Sequence, residues 1–516
     1  MSFGFAGRRV FALCPIASVL WAHSVPSDGF GNRKLLEASE LPAACHNNDL
    51  KSIYHKRALE ILTRFKETSG CPGISVCVSL SGRTVFDMGM GYSDVENLTP
   101  VRNDTVFRIA SISKSLTSLL IGRLFDQRKL SLDDDIRTYV PEFPEKQVTG
   151  KQAKITVRTL MNHTSGIRGY KKTSEGTRES DYPEMLLTTR YENALDACEL
   201  FKADPLVHAP GSKYTYSTFG YSLLSAAIEK ICSKSGPVFD TVQTSDAIKS
   251  GEGDKSSKPR WARLDSQFSR LFTFLHMDHT SLEYHEKITS SRAVQYRRDS
   301  KGVLENTPMI DNSYKWAGGG ILSTAPDLIR LANHLAYIYM DWIDSSGVIS
   351  RQALDQLWTA SAVNPDSEWQ PGLGWFLSRR SGGPVTNPHP GPDRLYVRHT
   401  GGAIGGTTVL LLSLPYHQSN NTTVPSSQIL ENRIKIPDSS TSSLMHSPDM
   451  DFLASKVPPI CVAVLTNLEN ASGISQLATA LAELFTEYAS KLMLLYLNGD
   501  QAIIANFPQG SHQLTA

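Results

Sequence analysis

The chain has 516 residues, with 52 Lys+Arg against 51 Asp+Glu for a formal net charge of +1; 40% of its residues are hydrophobic and 20% charged. Charge this evenly balanced leaves no basic footprint for nucleic acid, and so ordinary a composition excludes collagen-like, wholly disordered and disulfide-dense chains. The apolar content is enough for a large core, either in two or three domains or in one domain interrupted by insertions.

Residues 1–27 contain no Asp or Glu, carry Arg8 and Arg9, and run mostly apolar from Val10 to Ala22. They read as a targeting segment rather than part of the fold. Two destinations fit: a secretory signal cut near Ser24, which composition alone favours, or a mitochondrial presequence with few arginines. The run is short and interrupted by Pro15, and no other stretch approaches the length of a membrane span, so no transmembrane segment is expected in the mature chain. Residues 28–50 read as a linker.

From Lys51 to Thr68, Ile53, Ala58, Leu59, Ile61, Leu62 and Phe65 recur at helical spacing. Ile74–Leu80 and Thr84–Met90 flank Ser81-Gly82-Arg83 and predict a β-hairpin. The pattern is mostly helical from about 112 to about 310, strands return at Tyr396–His399, Gly406–Leu412 and Ile460–Asn467, and Ala471–Leu494 is an amphipathic helix. A sheet built from both ends of the chain explains this order. The expected class is α+β within one domain, 51–495: an α/β part at 51–111 and 312–495, and an all-helical lobe at 112–311. Segments 233–258 and 416–456 read as inserted surface loops, and 496–516 as a tail. The second insertion holds overlapping glycosylation triplets at Asn420 and Asn421.

Seven cysteines are scattered without a C-x-x-C pair, which indicates neither a zinc ribbon nor a disulfide framework. They read as small buried hydrophobes, with a Cys71–Cys77 link open only in an oxidising compartment. His276-x-x-His279 alone is a poor zinc candidate, so neither metal nor cofactor is expected.

Three segments carry chemistry. Phe107-Arg-Ile-Ala-Ser111-Ile-Ser-Lys114 puts a serine and a lysine three residues apart at a helix start, on one face. There the positive end of the helix can stabilise developing negative charge at Ser111, and a desolvated Lys114 can take its proton. Taken alone, the pair reads more readily as a capping serine beside a solvated lysine. Tyr216-Ser217-Thr218 follows the Pro210-Gly211 turn and offers a phenol for proton relay. His399-Thr400-Gly401-Gly402 precedes a strand, and its glycines allow close backbone approach at a strand edge.

Ser111-x-x-Lys114, then Tyr216-Ser217-Thr218, then His399-Thr400-Gly401 resembles the serine β-lactamase and penicillin-binding-protein superfamily, in its class C and D-Ala-D-Ala carboxypeptidase branch. Leu160–Ile167 and Ala317–Leu328 agree. Phe107–Leu116, Tyr139–Lys146, Tyr216–Tyr221 and Asp311–Gly320 are most similar to the animal serine β-lactamase-like proteins of that superfamily.

The resemblance implies a penicillin-binding fold, an antiparallel sheet flanked by helices plus a helical lobe, with the site between them. It implies Ser111 as nucleophile, Lys114 and Tyr216 as proton-transfer partners, the N–H groups of Ser111 and Gly402 as an oxyanion hole, and Thr218, His399, Thr400 and Gly401 as substrate-binding positions. It further implies mitochondrial residence in the intermembrane space, peptidase activity, self-association into filaments and an influence on lipid metabolism. Where drug-hydrolysing β-lactamases have Lys and Asn, this chain has His399 and Thr218, so peptides or esters are expected rather than β-lactams. A filament-forming scaffold with a vestigial cleft and a secreted hydrolase are the alternatives.

Overall fold

The computed structural model describes residues 47–173, 182–239, 260–343, 347–361, 367–380, 394–416 and 457–497. The targeting segment, most of both insertions and the tail lie outside the described residues.

One antiparallel sheet of eight strands organises the molecule. We number its strands β1 Gly73–Leu80, β2 Arg83–Asp94, β3 Thr99–Pro100, β4 Gln370–Pro371, β5 Phe376–Arg380, β6 Arg394–Ala403, β7 Gly406–Pro415 and β8 Ile460–Thr466. Their order is β4-β5-β6-β7-β8-β1-β2-β3. β1 lies in register between β2 and the last strand, with Ile74 opposite both Met90 and Thr466, so the sheet is closed by the two ends of the chain as the sequence order suggests. The predicted hairpin forms through a two-residue turn, Ser81 at φ 49° and Gly82 at φ 81°. Paired left-handed residues match the right-handed twist of the flanking strands.

Both faces of the sheet are covered. All eight residues of β1 are buried, and its alternation sorts side chains into two cores rather than into core and solvent. Val76, Val78, Val409, Leu411, Val462 and Val464 pack with α1 (Asn47–Ser69) and the C-terminal helix (Ile474–Leu497). Cys77, Val397, Leu410, Leu412, Ala463 and Leu465 face the opposite core, shared with α2 (Ser113–Asp126), α3 (Phe219–Ser235) and α4 (Ala325–Tyr339). Cys71 and Cys77 therefore belong to different cores, and both are free thiols, so the link left open between them is not formed.

The central region is less helical than its apolar pattern implies. Short strand pairs interrupt it at Lys146–Val148 with Lys151–Ala153 and at Tyr296–Arg298 with Leu304–Asn306. A small sheet also joins Phe107–Arg108 to Ile321–Ser323 and Ser281–Leu282. α3 continues through Ser235, and Val238 and Phe239 beyond it are buried. Among the described residues no helix is long and apolar enough to cross a membrane, and no three His, Cys, Asp or Glu side chains are grouped to hold a metal ion.

Candidate active site

The segment carrying Ser111 enters as a strand. Phe107 and Arg108 pair with Ser323 and Leu322, and the Ile109 N–H donates to Ile321 O at 3.0 Å. Ala110 then turns left-handed at φ 49°. That conformation costs a non-glycine residue roughly 1–2 kcal/mol and must be enforced from outside. Gly401 on β6 packs so closely against this turn that a Cβ there would lie 3.0 Å from Ala110 Cβ and 2.4 Å from Ile109 O. Ser111 consequently occupies a 3-10 turn, Ala110–Ile112, and α2 begins only at Ser113, whose hydroxyl caps Ala110 O at 2.6 Å. Ser111 therefore lies at the helix start, in a 3-10 turn that runs directly into α2.

α2 is buried on every side from Ser113 to Gly122. Lys114, 0% exposed, donates to Ser111 Oγ at 3.2 Å, to Gly318 O at 2.5 Å and to Thr218 Oγ1 at 3.4 Å. Its Nζ also lies 4.7 Å from the Tyr216 ring centroid and 5.4 Å from that of Tyr221. From the other side the Tyr216 phenol donates to Ser111 Oγ at 2.7 Å. One hydroxyl oxygen is thereby flanked by an amine and a phenol, a geometry that can move its proton as the oxygen attacks a carbonyl.

The sequence reading noted His163 only as part of a flanking motif. Its ring stacks on Tyr216 with centroids 4.2 Å apart, and its Nδ1 accepts the Ser217 N–H at 3.2 Å. The Thr215 N–H donates to His163 O and the Gly211 N–H to Thr164 O, both at 2.8 Å, so His163–Gly166 forms the bed on which the Tyr216 loop lies. Burial first, and then the charge of Lys114, hold the His163 imidazole well below its ordinary pKa, so it stays neutral and keeps Nδ1 as an acceptor. A lone loop histidine carries no such signal in the sequence.

His399 on β6 is 1% exposed. Its Nδ1–H donates to Thr400 O at 2.7 Å, and Nε2 meets no hydrogen-bond partner among the described residues. Burial, with Lys114 second, pushes its pKa down to about 3. It is therefore a neutral side chain with a bare acceptor, unlike the lysine it replaces. The pairing of β5 ends with Phe376 opposite Arg398. His399–Ala403 therefore extends beyond it without a strand neighbour on that side among the described residues, and alternation puts the N–H groups of Thr400 and Gly402 on that open edge. Ser111, Lys114, Tyr216 and Thr218 are in direct contact, and Gly401 packs on the turn before Ser111. Thr400 and Gly402 line the edge beside it.

The family model for beta-lactamases matches residues 60–484. The chain belongs to the beta-lactamase family. It is 33% identical over 417 residues to the serine beta-lactamase-like protein LACTB, mitochondrial, of Homo sapiens, covering 68% of this chain and 71% of that protein. Its fold is similar to that of the octameric penicillin-binding protein homologue from Pyrococcus abyssi, at 21% identity and TM-score 0.55 over 83% of this chain and 77% of that one. It is likewise similar to a class C beta-lactamase, at 18% identity and TM-score 0.53 over 85% and 98% of the two chains. The beta-lactamase-family membership and the antiparallel-sheet fold read from three short motifs are thus confirmed.

Proposed function

We propose that this protein is a serine hydrolase working through an acyl-enzyme on Ser111, and that it cleaves peptide or ester bonds in mitochondria. The observation that carries the reading is the convergence of Lys114 and Tyr216 on one serine oxygen, at 3.2 and 2.7 Å. As Ser111 Oγ bonds to the acyl carbon, its proton passes to Lys114 acting as the neutral amine, directly or through the Tyr216 hydroxyl, which gives up its own proton to Lys114 as it takes that of Ser111. The carbonyl oxygen takes the negative charge and is held by the N–H groups of Ser111 and Gly402. Collapse of the adduct expels the amine or alcohol, which takes the proton back, and water releases the acyl group by the same steps. A neutral His399 and a short Thr218 hydroxyl give little purchase on a β-lactam carboxylate and acyl amide, which favours other substrates. Mitochondrial residence rests on the name of its human relative, and the intermembrane space as the compartment on the family resemblance alone. Filament formation and a role in lipid metabolism are extensions of the same resemblance, and the octameric Pyrococcus homologue makes self-association reasonable.

The test is fluorophosphonate labelling and peptide-library cleavage by the wild-type chain and Ser111→Ala. We expect both signals only in the wild type. A folded wild type that is neither labelled nor active would instead support a scaffold, and label retained by Ser111→Ala would remove the nucleophile assignment.

A further inference from the structure

Arg108 has no part in the proton transfers above, yet it is 5% exposed and lies three residues before Ser111. Its Nε donates to both carboxylate oxygens of Glu283, at 2.9 and 3.1 Å, and its Nη1 donates to the backbone oxygen of Ile404 at 2.7 Å. Ile404 is in the hairpin turn two residues after Gly402. Glu283 extends the connection: it accepts from Asn312 Nδ2 at 2.5 Å and pairs with Arg292 as a second cation. Its backbone N–H donates to Gly320 O and its carbonyl accepts from the Trp316 indole, both at 2.9 Å. Trp316 and Gly320 bracket Gly318, whose carbonyl accepts from Lys114.

We infer that Arg108 is the positioning residue of the oxyanion hole: its guanidinium, held by Glu283, fixes the Ser111 turn against the Gly402 hairpin so that their two N–H groups converge. The inference rests on the hydrolase reading above. It follows from what a planar fork can do, since one Arg satisfies a carboxylate and a backbone carbonyl at once whereas a lysine head serves such a geometry poorly. Burial alone would raise the Glu283 carboxyl, but Arg108, then Arg292 and Asn312, hold it below the usual carboxylate range, so the anchor stays charged. The residues involved are 175 and 296 positions apart along the chain, which is why no local motif announces them.

The experiment compares Arg108→Gln and Arg108→Lys with the wild type, using a neutral p-nitrophenyl ester and phenylboronic acid, which takes the Ser111 oxygen into a tetrahedral adduct. Active-site titration normalises each rate to folded enzyme. We expect kcat of Arg108→Gln to fall about 100-fold while KM stays within about twofold, as for loss of an interaction made only in the transition state. Boronate affinity should weaken by a similar factor, and Arg108→Lys should recover part of both. A folded Arg108→Gln with wild-type kcat and boronate affinity overturns the inference. If that variant does not fold, Arg108→Lys decides: a fall in kcat of about tenfold or more at unchanged KM supports the positioning role, and wild-type kcat overturns it. A wild type that neither turns over the ester nor binds the boronate shows that the hydrolase reading itself has failed, and the inference falls with it.

Discussion

The Tyr216 phenol donates to the Ser111 hydroxyl oxygen at 2.7 Å, and its ring is held on the other side by the His163 imidazole at 4.2 Å. Tyr216→Phe keeps the stacked ring and removes only the hydroxyl proposed as the relay. Turnover of an ester substrate should fall by about 10²–10⁴-fold with an unchanged melting temperature. A loss smaller than about threefold would remove Tyr216 from the proton path.

His163→Phe probes the support instead of the relay. The ring stack survives, but the Ser217 N–H loses the acceptor it meets at 3.2 Å. A buried donor left unmatched costs about 1–3 kcal/mol, so urea denaturation should show that loss, together with a lower kcat from a wandering phenol. Wild-type stability in this variant would show that the contact contributes nothing.

His399 and His334 are neutral in the folded chain, with pKa values pushed down by burial from 6.5 to about 3 and about 4. Their folded values lie below their unfolded ones, so as pH falls the unfolded chain takes up protons first. The stability these residues protect is whole above pH 6.5 and is lost as pH drops toward 4 and then 3. Urea midpoints measured at about pH 7.5, 6 and 5 should decline in that order, and His334→Gln should flatten the decline. An unaltered slope in that variant would count against a buried neutral imidazole at this position.

Gly401→Ala tests the packing on the turn before Ser111. The added Cβ would meet Thr408 Oγ1 at 2.2 Å and Ile109 O at 2.4 Å, and because the second contact is backbone, relief must move the turn that carries Ser111. Overpacking of this kind costs about 1–3 kcal/mol, and the rate per folded molecule should fall as well. Gly150→Ala is the control: Gly150 is left-handed at φ 76° with nothing within 4 Å, so it should lose stability without losing rate. Equal rates in the two variants would show that Gly401 acts on the fold alone.

Much of this was readable in advance because it is written locally. The Ser81-Gly82 turn, the continuous apolar runs of β7 and β8 and the Ser-x-x-Lys spacing each depend on residues a few positions apart. What escaped depends on distant partners. Strand β5, Phe376–Arg380, is short and ends in two arginines, so it carries no clean alternation. The left-handed Ala110 has no local sequence signal, and the residue packed against it, Gly401, is far away in the chain. The Arg108–Glu283 pair joins two ordinary charged residues that only the finished sheet brings together, and His163 acts through its shape, where sequence patterns report chemistry.

The interleaving of the first and last strands also sets an order of events during synthesis. The serine, the amine and the phenol are all made before residue 220, but β6, β7 and β8 lie between residues 394 and 466. A growing chain, or one threading head-first through a translocation pore, carries the whole proton-transfer apparatus yet lacks the edge against which a carbonyl would be polarised. On the hydrolase reading proposed above, vectorial emergence keeps the site incomplete until residues 394–466 have arrived, and the long-range pairing of β1 with β8 must wait as long.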